Sequence, residues 1–193
     1  MDWDKRFRER DTPWQRPGLN RAFSVWFDGP GAVAVSGQSV LIPGFGTSPE
    51  PLEFARRGVR VTGIDIAPRA VAAQTQALAA AGLTGEFVLA GFGEWRPQQP
   101  VDILYEQTCL CAIDPGDRVG YEAFAHAALK PGGRLYALFM QNTIRPGGPP
   151  FHCDMAGMRA LFAASRWRWP DATPLRSDHP NGMHELGFVL VRI

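Results

Sequence analysis

Ser39-Val-Leu-Ile-Pro-Gly-Phe-Gly46, followed after a short connection by Val59-Arg-Val-Thr-Gly-Ile-Asp65, is the stretch whose reading decides the fold. Ser39–Ile42 is a short apolar run closed by Pro43, Gly44 and Gly46, which predicts a buried strand ending in a turn. Ser48 then predicts a helix N-cap, with Pro49 in the first turn and Glu50 near the positive end of the helix dipole. Leu52, Phe54 and Ala55 carry that helix to a stop at Gly58, and Val59–Asp65 reads as a second strand.

The alternation continues outward. From Arg69 to Ala81 the sequence is alanine-rich, with Val71, Thr75 and Leu78 on one expected helical stripe and Gly82 as its stop. Glu86–Leu89 and Val101–Tyr105 read as the third and fourth strands. A helix is expected from about Gly116 to Leu129, closed by the stop-and-turn signal Lys130-Pro-Gly-Gly133, and Arg134–Met140 as the fifth strand. Gly147–Pro150 marks a loop, Asp154 to Ala164 a last helix and Glu185 to Ile193 a terminal strand. Strands alternating with helices predict an α/β fold with a largely parallel sheet and right-handed crossovers. Ligands in such sheets bind beyond the carboxyl ends of the strands, which selects Pro43–Ser48, Asp65–Ile66, Gly91–Trp95 and Glu106–Ala112 as the site wall.

Composition narrows the function. With 193 residues the chain has the length of one domain, at roughly 100–200 residues each. Twenty basic against nineteen acidic side chains leave a net charge of +1, so neither nucleic acid nor an anionic membrane is an expected partner. No apolar run approaches the ~20 residues of a membrane span. The first ten residues mix acids with bases and have no apolar stretch behind them, so no secretory leader is expected. Cys109, Cys111 and Cys153 cannot all pair, and neither they nor the four histidines show metal-ligand spacing. Reduced thiols in a cytoplasmic, metal-free protein are the expectation. Six tryptophans and twelve phenylalanines are a heavy aromatic load that calls for a use.

Gly44-x-Gly46 lets backbone approach a ligand, and Asp65, 19 residues beyond Gly46, ends the second strand where a carboxylate can accept from two ribose hydroxyls. The pair points to a nucleoside-containing cofactor; a plain turn with a solvent-facing Asp is the bland alternative. The dinucleotide fingerprint needs a third glycine where Pro49 stands, and Glu50 would repel a pyrophosphate. Those residues favour S-adenosylmethionine, which carries no phosphate, over NAD.

Here the residues resemble a known family. Leu41-Ile-Pro-Gly-Phe-Gly46, Val61–Asp65, Tyr105-Glu-Gln-Thr-Cys-Leu-Cys-Ala-Ile-Asp-Pro115 with Arg118, Leu129–Gly133 and Gly147-Gly-Pro-Pro-Phe151 are similar to the thiopurine S-methyltransferase family, which includes thiol, halide and thiocyanate methyltransferases. Trp3-x-x-Arg6-Phe7 with Thr12-Pro-Trp14 resembles that family's cap over the cofactor. The resemblance spans about residues 3 to 163. It implies a Rossmann-like class I methyltransferase: a mostly parallel seven-stranded sheet, helices on both faces and an N-terminal helical cap. The domain would be single over 1–193, with 1–30 as the cap arm and 38–193 as the core.

The resemblance also implies roles. Trp3 and Trp14 would cap S-adenosyl-L-methionine, Trp14 facing the sulfonium through cation–π attraction. Pro43, Gly44 and Gly46 would line its methionine and ribose, Asp65 would hold the ribose hydroxyls, and Ile66 would pack on adenine. Phe92, Glu94 and Trp95 would lie on the adenine side, and Glu106 and Thr108 near the amino-acid part and methyl group. Glu106 and Asp114 are the candidates for a proton acceptor. For Trp3 and Trp14 a hydrophobic staple is the bland alternative, and for Glu106 a structural salt bridge.

The departures from the family pattern carry information. Phe45 replaces a cysteine and is expected to narrow the glycine loop. Gly91 stands where an aspartate normally meets the adenine amino group, which leaves that task to backbone groups or Glu94. Gln107 replaces an arginine common in thiopurine-selective members, which shifts the expected acceptor toward thiols and inorganic anions. Arg145, Arg159, Arg166, Arg168 and Arg176 are available to attract such an anion, although most would form solvated surface.

The leading reading is methyl transfer to a small soft nucleophile (thiol, thiopurine, selenium or tellurium species, halide or thiocyanate) by a monomer, with S-adenosyl-L-homocysteine as product. The alternative is a non-catalytic S-adenosylmethionine-binding protein of the same fold.

Overall fold

The apolar runs of the first half of the chain become three parallel strands: β1 (Ser39–Pro43), β2 (Arg60–Asp65) and β3 (Glu86–Leu89). The computed structural model describes residues 1–30, 32–179 and 182–193, which form two compact units, Met1–Trp95 and Arg96–Ile193.

In the first unit the strand order is β3-β2-β1, with Val40 opposite Val61 and Asp65 opposite Leu89. Parallel neighbours need crossovers, and helices α3 (Glu50–Arg56) and α4 (Pro68–Ala80) supply them. Helix α3 starts one turn position later than Ser48 predicts. Its N-cap is Pro49, which has no side-chain cap bond, and Ser48 instead donates its backbone N–H to Phe45 at 3.3 Å within the preceding turn. The buried stripe of α4 is Ala70, Gln74 and Leu78 rather than Val71, Thr75 and Leu78. Thr75 is exposed and donates its hydroxyl to the Val71 carbonyl at 2.9 Å.

Two short helices, α1 (Trp3–Arg8) and α2 (Arg21–Asp28), precede the strands. Asn20 caps α2 through a bond from the Ala22 N–H, and its own N–H donates to the buried Glu50 carboxylate at 2.8 Å. Phe23 and Phe27 meet Phe54 of α3 at 4.9 and 5.1 Å between ring centroids, forming one aromatic cluster. Helix α1 is tied to α4 instead: the Arg69 N–H donates to Asp4 at 3.0 Å.

The second unit pairs β4 (Val101–Gln107) in parallel with β5 (Leu129–Gln141), and β8 (His184–Arg192) antiparallel with β5. Two short strands missing from the sequence reading, β6 (Trp167–Arg168) and β7 (Leu175–Asp178), share the outer edge of β8, at its end and its start respectively. The expected seven-stranded, mostly parallel sheet is therefore corrected to eight strands of mixed sense among the described residues. The Lys130–Gly133 turn signal is likewise corrected. Val101 pairs with Leu129 and Ile103 with Arg134, so the four turn residues bulge out while the strand pairing resumes beyond them. A 3-10 turn at Pro115–Asp117 leads into α5 (Arg118–Ala128), and α6 (Met155–Leu161) is capped by the Asp154 carboxylate.

Phe45 does not narrow the glycine loop. Its ring is buried against Phe87, 5.0 Å away, and fills the space above Gly63, where an added Cβ would lie 2.4 Å from the Phe45 ring. The ring has turned inward because burial of its apolar area outweighs exposure in the loop. Gly63→Ala is accordingly expected to lower unfolding free energy by about 1–3 kcal/mol through overpacking, measured by urea denaturation.

Candidate functional site

The site is built around a glycine whose every backbone group is used. Gly44 and Gly46 have φ of 57° and 53°, left-handed values that side chains disfavour. The Gly46 N–H donates to the Asp65 carboxylate at 2.9 Å, and its carbonyl accepts from the Gln74 amide at 3.2 Å. A Cβ on Gly46 would stand 3.4 Å from the Phe7 ring. Gln74 also bonds the Ser48 carbonyl at 2.7 Å, so a buried polar residue of α4 props the loop from beneath.

Asp65 lies at the carboxyl end of β2 and is largely buried. Its second oxygen accepts from the Ala67 N–H at 2.9 Å. Burial raises its pKa, while the backbone N–H bonds oppose that rise. The Ile66 N–H adds a third backbone donor, and a carboxylate with about four acceptor sites retains capacity for a ligand hydroxyl. Ile66 follows with 57% of its surface exposed, an apolar face presented to solvent beside the carboxylate. Gly91 borders it: a Cβ there would lie 3.7 Å from Ile66 and 3.8 Å from Glu94 Oε2. Phe92 and Trp95 are half-buried in the same segment.

The N-terminal arm covers the glycine loop. Trp14 meets Trp3 edge-on at 5.4 Å and Phe7 at 5.9 Å, and the Gln15 amide donates to the Thr47 hydroxyl. Arg6 lies 4.6 Å over the Trp14 ring and is held there by Asp11 at 3.0 Å. One face of Trp14 therefore already carries a cation from the chain itself.

In the second unit Glu106 is fully buried at the end of β4. One carboxylate oxygen accepts from the Leu110 N–H at 2.8 Å and the other from the Tyr121 hydroxyl. Burial lifts its pKa to about 7 against the lowering effect of those bonds. These are hydrogen bonds to neutral groups, so the carboxylate anchors the turn after β4 without a salt bridge. Thr108, at the start of that turn, sits at φ 63°, a strained conformation for a β-branched residue. Asp114 is exposed and accepts from the Gly116 N–H at 2.8 Å, capping the 3-10 turn. Gln107 accepts from the Tyr105 hydroxyl at 2.9 Å.

Cys111 and Cys153 are buried, whereas Cys109 is partly exposed. Among the described residues no group of three or more His, Cys, Asp or Glu side chains is placed to hold a metal. Nor, among those residues, is any helix long and apolar enough to cross a membrane.

Phe7, Gln74 and Tyr121 contribute to the site without having stood among the sequence-derived site residues. Their signals were thin. Gln74 is a polar residue on the buried side of an alanine-rich helix, and Phe7 is the third aromatic of the cap motif.

The comparisons with known proteins agree with this geometry. The sequence model of the family described as Thiopurine S-methyltransferase (TPMT) matches residues 1–181. "Probable thiol methyltransferase 2" of Arabidopsis thaliana is 28% identical over 156 residues, covering 80% of this chain and 68% of the relative. "Thiocyanate methyltransferase 1" of the same plant is 27% identical over 193 residues, covering 96% and 82%. Among solved structures, the 1,6-didemethyltoxoflavin-N1-methyltransferase of Burkholderia thailandensis, with bound S-adenosylhomocysteine, superposes with a TM-score of 0.75 at 21% identity, covering 99% of this chain and 85% of that one. The fold is thus the Rossmann-like fold of S-adenosylmethionine-dependent methyltransferases, and the chain belongs to the thiopurine S-methyltransferase family.

Proposed function

We propose that the chain, acting as one domain and a monomer in the cytoplasm, methylates a small soft nucleophile, with thiols and thiocyanate-like anions favoured over thiopurines. The observation that carries this reading is the aromatic arm seated on Gly46 and Thr47, a cap that excludes water from a cofactor loop. S-adenosylmethionine supplies a methyl carbon on a sulfonium, and in-line displacement there asks chiefly for alignment and dryness.

The residues fit that cofactor. Asp65 retains acceptor capacity for a ribose hydroxyl, and exposed Ile66 offers a flat apolar contact to adenine. Glu94 Oε2 stands within 3.8 Å of the Cβ position at Gly91, so its carboxylate serves where relatives of the family pattern carry an aspartate at that position. Trp14, already under Arg6, is the cap aromatic that the resemblance places against the methionine portion. The relatives named for thiol and thiocyanate methyl transfer, together with Gln107 in place of an arginine, support the choice of acceptor.

Both candidate bases are engaged by the fold. Asp114 caps a turn in water, and Glu106 uses both oxygens inside the protein. An acceptor that arrives already anionic needs neither.

Titration calorimetry is expected to show saturable binding of both S-adenosylmethionine and S-adenosylhomocysteine; absence of heat from both overturns the reading. Asp65→Asn turns an amide donor toward a backbone N–H and is expected to weaken cofactor binding by about tenfold or more, read in the same titration.

Glu106 gives a pH signature. Its folded pKa of about 7 exceeds its ordinary 4.5, so the folded chain holds a proton that the unfolded chain has released. The resulting stabilisation is complete below about 4.5 and is lost as pH rises through about 7, amounting to about 3 kcal/mol. Glu106→Gln keeps an acceptor for the Leu110 N–H and offers a donor to Tyr121. Urea unfolding at pH 5 and pH 8 should therefore show a loss of stability in the natural chain that the variant lacks.

A further inference from the structure

Arg118, the first residue of α5, is buried, with 8% of its surface exposed. One nitrogen, Nη1, donates to the His152 carbonyl at 3.1 Å. Nε and Nη2 are buried and make no hydrogen bond among the described residues, and no carboxylate of those residues pairs with the guanidinium. A buried guanidinium is an expensive group to leave uncompensated, and a half-satisfied one calls for an explanation.

Asp117 precedes Arg118 at the N-cap, and buried Glu106 and Glu185 act on the same Cys153 thiol as Arg118, but no ion pair among the described residues joins them to the guanidinium. Arg118 opens α5, whose first turn carries no acidic residue, so the positive end of the helix dipole adds to the guanidinium. Cys153 interacts with it electrostatically, but burial holds that thiol at about 12, so it stays neutral near pH 7. Three other arginines of this unit have partners, and Arg192, whose Nε is also buried without a hydrogen bond, spends its Nη1 on the Leu129 carbonyl. Arg166 pairs with Glu122 at 3.0 Å, Arg176 with Asp178 at 2.7 Å, and Arg159 lies 4.6 Å over Trp169.

The position suits a ligand. The Phe151 N–H bonds the Cys111 carbonyl at 2.7 Å and the Cys153 N–H bonds the Met140 carbonyl at 2.8 Å. These bonds join the turn after β4 to the segment beyond β5, and Arg118 grips that segment at His152. Both segments follow the carboxyl ends of parallel strands, the side on which α/β sheets bind ligands. Arg118 therefore keeps two unspent, buried donors beside the segment it grips, in the fork geometry that suits small anions.

We propose that Arg118 binds the methyl acceptor, with Nε and Nη2 taking a small monovalent anion such as thiocyanate or hydrosulfide. The assignment rests on the proposed soft-nucleophile methyltransferase reading, and gives that reading an anion subsite in place of the arginine that Gln107 has displaced.

The test is an NMR titration of the full chain with carbon-13-labelled thiocyanate, run with and without S-adenosylhomocysteine, whose own binding is measured separately by calorimetry. The natural chain is expected to show saturable thiocyanate binding. Arg118→Gln should weaken it by about tenfold, the order expected for a charge-assisted hydrogen bond, and Arg118→Lys by less. In turnover, KM for thiocyanate should rise by a similar factor in Arg118→Gln with kcat little changed, while cofactor affinity stays at the natural value. A residue serving only to hold the fold would not separate KM from kcat in this way. Equal thiocyanate binding by the natural chain and Arg118→Gln overturns the proposal, as does a loss confined to cofactor affinity. Should Arg118→Gln fail to fold, the natural chain still decides: no saturable thiocyanate binding, with or without S-adenosylhomocysteine, overturns it. Failure to bind S-adenosylhomocysteine is a separate result that overturns the cofactor reading.

Discussion

The hydrogen bond from the Gly46 N–H to Asp65 is the constraint on which the first unit depends. It joins the turn after β1 to the end of β2 and takes a carboxylate largely out of water, a cost offset by two backbone donors. Once that bond is made, little freedom is left at Gly46. Its N–H faces Asp65, its carbonyl faces Gln74, and its α-carbon faces Phe7. A side chain at this position would strain the left-handed backbone and press on the arm. The glycine is thus required by three neighbours at once, and the shape of the cofactor loop follows from them.

The second unit solves a different problem. The chain turns sharply after β4, with Thr108 in a left-handed conformation. Glu106 holds the turn by bonding Leu110 and Tyr121. The carboxylate is engaged in structure, and the strain at Thr108 is stored where the family resemblance places the cofactor's amino-acid part and methyl group. The first unit buries an acid that retains capacity for a ligand; the second buries one that holds a turn.

Much of this was legible in the sequence, for reasons that can be named. Strand β3 matches its expected bounds residue for residue, and β1 and β2 differ by one residue each, because apolar runs between turn formers leave few alternatives. Strands β6 and β7 were invisible: two and four residues on the edge of β8 have no room for a period. The Lys130–Gly133 signal is real chemistry in the wrong place, since a bulge uses the same residues as a turn. At the site, Asp65 and the two glycines were found because a motif requires them. The burial of Gln74, Glu106 and Arg118 was not legible, because burial of a polar group depends on neighbours far along the chain, which no local pattern encodes.

That asymmetry explains the kind of chemistry the chain supports. Proton transfer needs a titratable group that can reach the substrate, and the two candidate carboxylates, Glu106 and Asp114, are both engaged in holding turns. Alignment needs only rigid loops and a dry cover, and the structure invests heavily in both: the propped glycine loop, the aromatic arm, and the turn pinned by Glu106. A buried positive charge in the same unit, with donors to spare, favours a substrate that brings negative charge with it. Soft anions meet that description, because their charge satisfies the arginine while their polarisable atom attacks carbon without first losing a proton. The engagement of Glu106 and Asp114 in turns is compatible with such an acceptor, which brings its negative charge with it.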